Sequence, residues 1–71
     1  MKVNKNYIYK IAFNHYDIYT KTTVCELMAK EIAVSFSCIK NFLTSRDFSR
    51  KTVFGIQKIL NLDPAKIFVL E

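Results

Sequence analysis

The chain has 71 residues and a formal net charge of +5, with eleven Lys or Arg against six Asp or Glu. That length makes one domain, residues 1–71, which buries only about 60% of its unfolded surface and leaves too little chain for the deep cleft and converging polar groups of an enzyme. One Gly and one Pro exclude a disordered, repetitive or turn-rich all-β chain, and the 51% of apolar residues suffices for a core without disulfide or metal staples.

The first twenty residues carry two patterns. Tyr7, Tyr9, Ile11 and Phe13 alternate as in a strand, whereas Ile8, Ile11, Ala12 and His15 fall at helical spacing. A lone hairpin with no Asn-Gly or Asp-Gly turn has little local support, so a helix over Lys5–Tyr16 is the expectation. All four tyrosines lie in this part of the chain.

Val24, Leu27, Met28 and Ile32, with Ala29 beside them, predict a second helix over Thr23–Ala33. Thr23 and Glu26 have the spacing of a capping box, and good helix formers fill the following turns. Ser35 is a suitable N-cap for a third helix, Ser35–Thr44, with Ile39, Phe42 and Leu43 on its apolar side. Only Ala33 and Val34 separate these two helices, which suits a steep crossing rather than an antiparallel hairpin.

Ser49 caps a fourth helix, Ser49–Asn61, whose apolar face is assigned to Val53, Phe54, Ile56, Ile59 and Leu60. Asn61 tolerates the left-handed conformation that ends a helix. Asp63 then caps, and Pro64 opens, a short last helix running to Phe68, where the missing proline N–H is no loss. The expectation is an all-α fold, a compact four- to five-helix bundle containing a helix-turn-helix. Its core should include Met28, Ala29, Ile32, Val34, Ile39, Phe42, Ile56 and Ile59.

At this point the sequence resembles the Cro and lambda-repressor-like (XRE) family of DNA-binding domains. The stretch TVCELMAKEIAVSFSCIKNFL resembles the family's two-helix motif, with AVS at the turn. The stretch SRKTVFGIQKILNLDPAKIF resembles its following pair of helices, with Thr52-x-x-x-Ile56 and Leu60-x-x-Asp63-Pro64-x-x-Ile67-Phe68 in register. The likeness runs from Thr23 to Phe68, about two-thirds of the chain. Three departures stand out. Ala33 occupies a turn position where the family commonly has Gly, so it must adopt a left-handed conformation or bend the turn differently. Cys25 stands where a phosphate-holding Gln is usual, and Phe36 is an unusual apolar residue early in the reading helix. The resemblance implies a transcriptional regulator of the small phage or mobile-element repressor type, acting by operator occupancy and binding as a homodimer on inverted repeats.

Physical chemistry argues for double-stranded DNA independently. A helix in the major groove offers its outward residues to base edges. Here those are Phe36, Ser37, Lys40 and Asn41, with Thr44 a turn later. Lys40 can donate to guanine, Asn41 can bond adenine bidentately, and Phe36 can pack on a thymine methyl. Arg46, Arg50 and Lys51 flank the start of the next helix and are expected on phosphates, as are Thr22 and Thr23 through their hydroxyls. The competing reading of the cations is a solvated charge cluster. With no separate oligomerisation domain, a dimer would use the apolar run Ile67, Phe68, Val69 and Leu70, whose other use is to close the core.

No catalytic set, cofactor or small-molecule ligand is indicated, and one His with two Cys thirteen residues apart does not make a metal site. Cys25 and Cys38 read as reduced thiols in or near the core. No apolar run is long enough for a membrane span and no signal-peptide pattern follows Met1, so a soluble cytoplasmic protein with no membrane partner is expected. The rival function is a protein-interaction module, antirepressor or antitoxin-like, that keeps the fold and docks Phe36 on protein.

Overall fold

The structure is a computed structural model that describes residues 2–70. Among these, the elements in chain order are β1 (Lys2–Val3), α1 (Lys5–Tyr16), α2 (Lys21–Ile32), α3 (Phe36–Leu43), α4 (Arg50–Leu60), α5 (Pro64–Ile67) and β2 (Phe68–Val69). The all-α reading holds, and the expected helices fall where the capped periodicity put them, within about two residues at each end. The first segment is helical: Ile8, Tyr9 and Ala12 face inward, and Asn4 caps the helix by accepting from the Tyr7 N–H.

Two expectations are corrected. The Thr23–Glu26 capping box does not form. Val24 N–H already bonds to Thr20 O, so α2 starts at Lys21 and Thr23 lies inside its first turn. The last helix stops at Ile67, because Phe68 leaves it in an extended conformation and enters β2. That strand pairs antiparallel with β1, Lys2 opposite Val69 and Val3 opposite Phe68, a contact between chain ends that local patterning could not signal.

The first four helices end alike. Asp17, Ala33, Ser45 and Asn61 all take the left-handed region, with φ between 52° and 62°. The next N–H in each case closes a six-residue ring onto the last turn: Ile18 to Phe13 O, Val34 to Ala29 O, Arg46 to Asn41 O, and Leu62 to Gln57 O. Asp and Asn tolerate this geometry, whereas Ala33 and Ser45 hold it against a steric cost of about 1–2 kcal/mol each.

The single glycine serves elsewhere. Gly55 lies in the middle of α4, and a Cβ there would stand 2.6 Å from Ile32 Cγ2 and 2.9 Å from Ile32 Cγ1. Its bare backbone is what lets α4 lie close against α2. The core gathers Val3 from β1, Ile8, Tyr9 and Ala12 from α1, Val24, Cys25, Met28, Ala29 and Ile32 from α2, and Ile39, Phe42 and Leu43 from α3. Ile56 and Leu60 from α4, with Leu62 and Ile67, complete it.

Of the predicted core, Val34 and Ile59 are only half-buried and the other six are buried. Phe54 is 63% exposed, contrary to its assignment to the apolar face of α4. Two residues along a helix are separated by about 200° of rotation, so Phe54 and Ile56 cannot both face inward. The inward position falls to Thr52, fully buried, whose hydroxyl shares a 3.1 Å hydrogen bond with that of Ser49.

Candidate nucleic-acid interface

The two-helix unit is built around one strained turn. α2 ends as Ala33 N–H bonds to Ala29 O and Lys30 O with Ala33 at φ 62°, ψ 46°, resolving the choice left by the missing glycine in favour of the left-handed conformation. Ser35 then returns to extended geometry, and its hydroxyl oxygen accepts from Cys38 N–H at 3.3 Å while donating to Cys38 Sγ at 3.2 Å. Three residues thus reverse one helix end and start the next.

Within α3 the inward residues are Ile39, Phe42 and Leu43, packed beneath α2 and α4. The opposite stripe holds Ser37, Lys40, Asn41 and Thr44, at spacings of three and four. Ser37, Lys40 and Thr44 are exposed, Asn41 is half-buried, and Phe36 at the start of the helix is 38% exposed. The five expected base-contact residues therefore share one side of one short helix. Thr44 differs in kind: it caps the helix, and its hydroxyl donates back to Lys40 O at 2.8 Å, leaving only its lone pairs outward.

The cations follow in the next loop and helix. Arg46 is exposed, and its N–H closes the end of α3 on Asn41 O. Ser49 caps α4 by accepting from Thr52 N–H, so the free N–H groups of that first turn lie beside exposed Arg50 and Lys51. A helix N-terminus carrying two cations favours an anion. Lys51 Nζ leans 3.5 Å from Ala33 O and so joins the start of α4 to the α2–α3 turn, whereas Arg50 extends into solvent. Thr22 is exposed and Thr23 half-buried, both in the first turn of α2.

Cys25 faces the core, not a ligand. It is fully buried, with Tyr9 Oη 3.6 Å from its sulfur. Burial pushes both the Cys25 thiol and the Tyr9 phenol up from their ordinary values, with their mutual hydrogen bond opposing the shift at sulfur and adding to it at oxygen. Both cysteines are free thiols, Cys38 being half-buried.

The C-terminal run divides. Ile67 is buried and Phe68 half-buried, stacked on Phe48 and edge-on to Phe42, so of the two uses open to this run these two residues take the closing of the core. Val69 and Leu70 are 41% and 87% exposed. Ser45, which sequence reasoning passed over, accepts from Val3 N–H at 3.0 Å and ties the loop after α3 to β1. Gly55 was equally silent, since a lone glycine in a helical pattern carries no sign of what approaches it. No helix among the described residues is long and apolar enough to cross a membrane.

Comparison with protein-family models, with curated proteins and with solved structures finds no match for this chain.

Proposed function

We propose that this chain binds double-stranded DNA as a sequence-specific transcriptional regulator, with α3 as the reading helix. The observation that carries the reading is the polar stripe Ser37, Lys40, Asn41 and Thr44 on a short helix, followed directly by Arg46, Arg50 and Lys51 around a helix N-terminus. Side chains that read base edges thereby adjoin side chains that grip phosphate, the division of labour duplex recognition needs. The resemblance of residues 23–68 to the XRE family supports the same conclusion. It suggests a small cytoplasmic repressor that occupies an operator, needs no cofactor and performs no catalysis. A homodimer on an inverted repeat would use exposed Val69 of β2 and Leu70 directly after it.

The test is selection of binding sites from random duplex DNA with the purified chain, followed by titration of the selected duplex and a scrambled one at two salt concentrations. A preferred sequence, bound with a steep salt dependence, is expected. Absence of duplex binding even at low salt refutes the reading.

One observation favours the rival. A groove of ≈ 360 Å³ lies beside Phe36, floored by Leu27, Ala29 and Val34 with Glu26 and Lys30 at its edges. A protein segment seated there would bury Phe36, and its affinity would change little with salt, which separates it from the DNA reading in the same titration.

A further inference from the structure

The face where α1 meets the start of α2 carries a cluster that duplex recognition leaves unused. Tyr9 and Phe13, one turn apart on α1, stack with ring centroids 5.8 Å apart and planes inclined by 23°. Tyr19, from the connection to α2, tilts against Phe13 at 6.0 Å yet remains 68% exposed. Its hydroxyl donates to Asp17 Oδ1 at 3.3 Å, which holds the ring out over the surface. Beside these rings Asn6, Lys10 and Asn14 form an exposed stripe one residue per turn along α1. Across from it Lys21 Nζ stands 5.2 Å from the centre of the Tyr9 ring. Together they bound an open cleft of ≈ 320 Å³, at the small end of the range for small-molecule sites.

Core formation accounts for Tyr9, which is buried, and for the inner side of Phe13. It does not account for an aromatic ring two-thirds in water and anchored by its own hydroxyl, nor for two ammonium groups and two carboxamides around an apolar floor. A flat π surface takes a flat partner, carboxamides both donate to and accept from its edge, and the lysines take an anion nearby. A lipid headgroup or an acidic peptide would use the cations and leave the rings idle. We propose that this cleft binds a nucleotide unit, free or at the end of an unpaired strand, with the base stacked on the exposed Tyr19 ring beside Phe13 and the phosphate on Lys10 and Lys21. It employs none of the residues assigned to the duplex, so the two readings stand or fall separately.

The test is titration of the isotope-labelled full chain with AMP, adenosine, inorganic phosphate and a 5′-phosphorylated oligothymidylate, followed by amide chemical shifts. Saturable shifts confined to residues 6–21 are expected with AMP, larger than those from phosphate at equal concentration. Tyr19→Ala should weaken AMP about ten-fold, and Tyr19→Phe, which keeps the ring but loses its anchor to Asp17, should restore most of the affinity. Lys10→Ala and Lys21→Ala should weaken AMP but leave adenosine unchanged. Tighter binding of AMP than of the oligonucleotide identifies the free nucleotide as the ligand, and the reverse order identifies a strand end. Because Tyr19 is exposed, the spectrum outside this face serves as the check that Tyr19→Ala is folded. The proposal is overturned if AMP shifts do not saturate, if phosphate alone reproduces them, or if folded Tyr19→Ala binds as the wild type does. A duplex titration, read on Phe36 to Asn41, is unaffected by any of these outcomes.

Discussion

Replacing the one glycine with alanine is the sharpest test of the packing that positions the candidate interface. In the middle of an exposed helix, Gly→Ala stabilises by about 1 kcal/mol, because alanine has less backbone freedom to lose. At Gly55 the new methyl would meet Ile32 Cγ2 at 2.6 Å, Cγ1 at 2.9 Å and Cδ1 at 3.1 Å. Carbon atoms rest about 3.5–4.0 Å apart, so the overlap approaches 1 Å. The atoms struck flank the branch point of a β-branched side chain with little rotamer freedom in a helix, so α2 and α4 must separate. Overpacking of this kind costs about 1–3 kcal/mol. Set against the propensity gain, Gly55→Ala should lose about 1 kcal/mol overall. With a urea slope of about 1 kcal/mol/M, the midpoint followed by far-UV circular dichroism should drop by about 1 M. In an Ile32→Ala background the same substitution should gain about 1 kcal/mol, a reversal of sign and a coupling of about 2 kcal/mol. Stabilisation of the wild-type chain by Gly55→Ala would refute the close approach of α4 to α2. The start of α4, with Arg50 and Lys51, would then no longer be set against the α2–α3 turn by that contact.

Three further outcomes are expected. Ala33→Gly should raise stability by about 0.5–1 kcal/mol in the same urea assay, because relief of the left-handed strain exceeds the entropy glycine loses on folding. A loss would mean that the alanine methyl has a packing role at the turn. Stability should be level near neutral pH and fall in alkali. Cys25, Tyr9 and Tyr16 all have folded-state values raised by burial, so the fold favours their neutral forms. Their contribution is complete below the unfolded-state values, about 8.5 for the thiol and about 10 for the phenols, and is lost as pH rises through and beyond those values. Urea midpoints across that range should decline less steeply for Tyr9→Phe, and an unchanged slope would exclude the phenol as a cause. At the interface, Lys40→Ala and Asn41→Ala should each cost about 1–3 kcal/mol on the selected duplex and much less on a scrambled one. Arg50→Ala should weaken both duplexes alike and lower the salt slope by about one unit, with a smaller effect for Lys51→Ala since Lys51 already leans on Ala33 O. Equal losses on both duplexes for all four variants would leave electrostatic grip without base reading.

The Tyr16 hydroxyl shows how little a sequence says about polar satisfaction. It is buried without a hydrogen-bond partner among the described residues, and nothing in the alternation around Tyr16 marks it.

What the sequence determined by itself is local. Ser35, Ser49 and Asp63 are N-caps because a short side-chain oxygen reaches the free N–H two or three residues on, a geometry that needs no distant partner. The inward set Ile39, Phe42 and Leu43, and with it the outward stripe of α3, follows from the helical period alone. Tertiary structure decided whatever depends on residues far apart in the chain. It set Gly55 against Ile32, drew Val3 and Phe68 into one ladder, and placed Tyr19 over Phe13 while Lys21 came over Tyr9. It also sent Phe54 to solvent and Thr52 inward, because the buried side of α4 packs against α1, α2 and α3, and two residues about 200° apart around a helix cannot both lie on it.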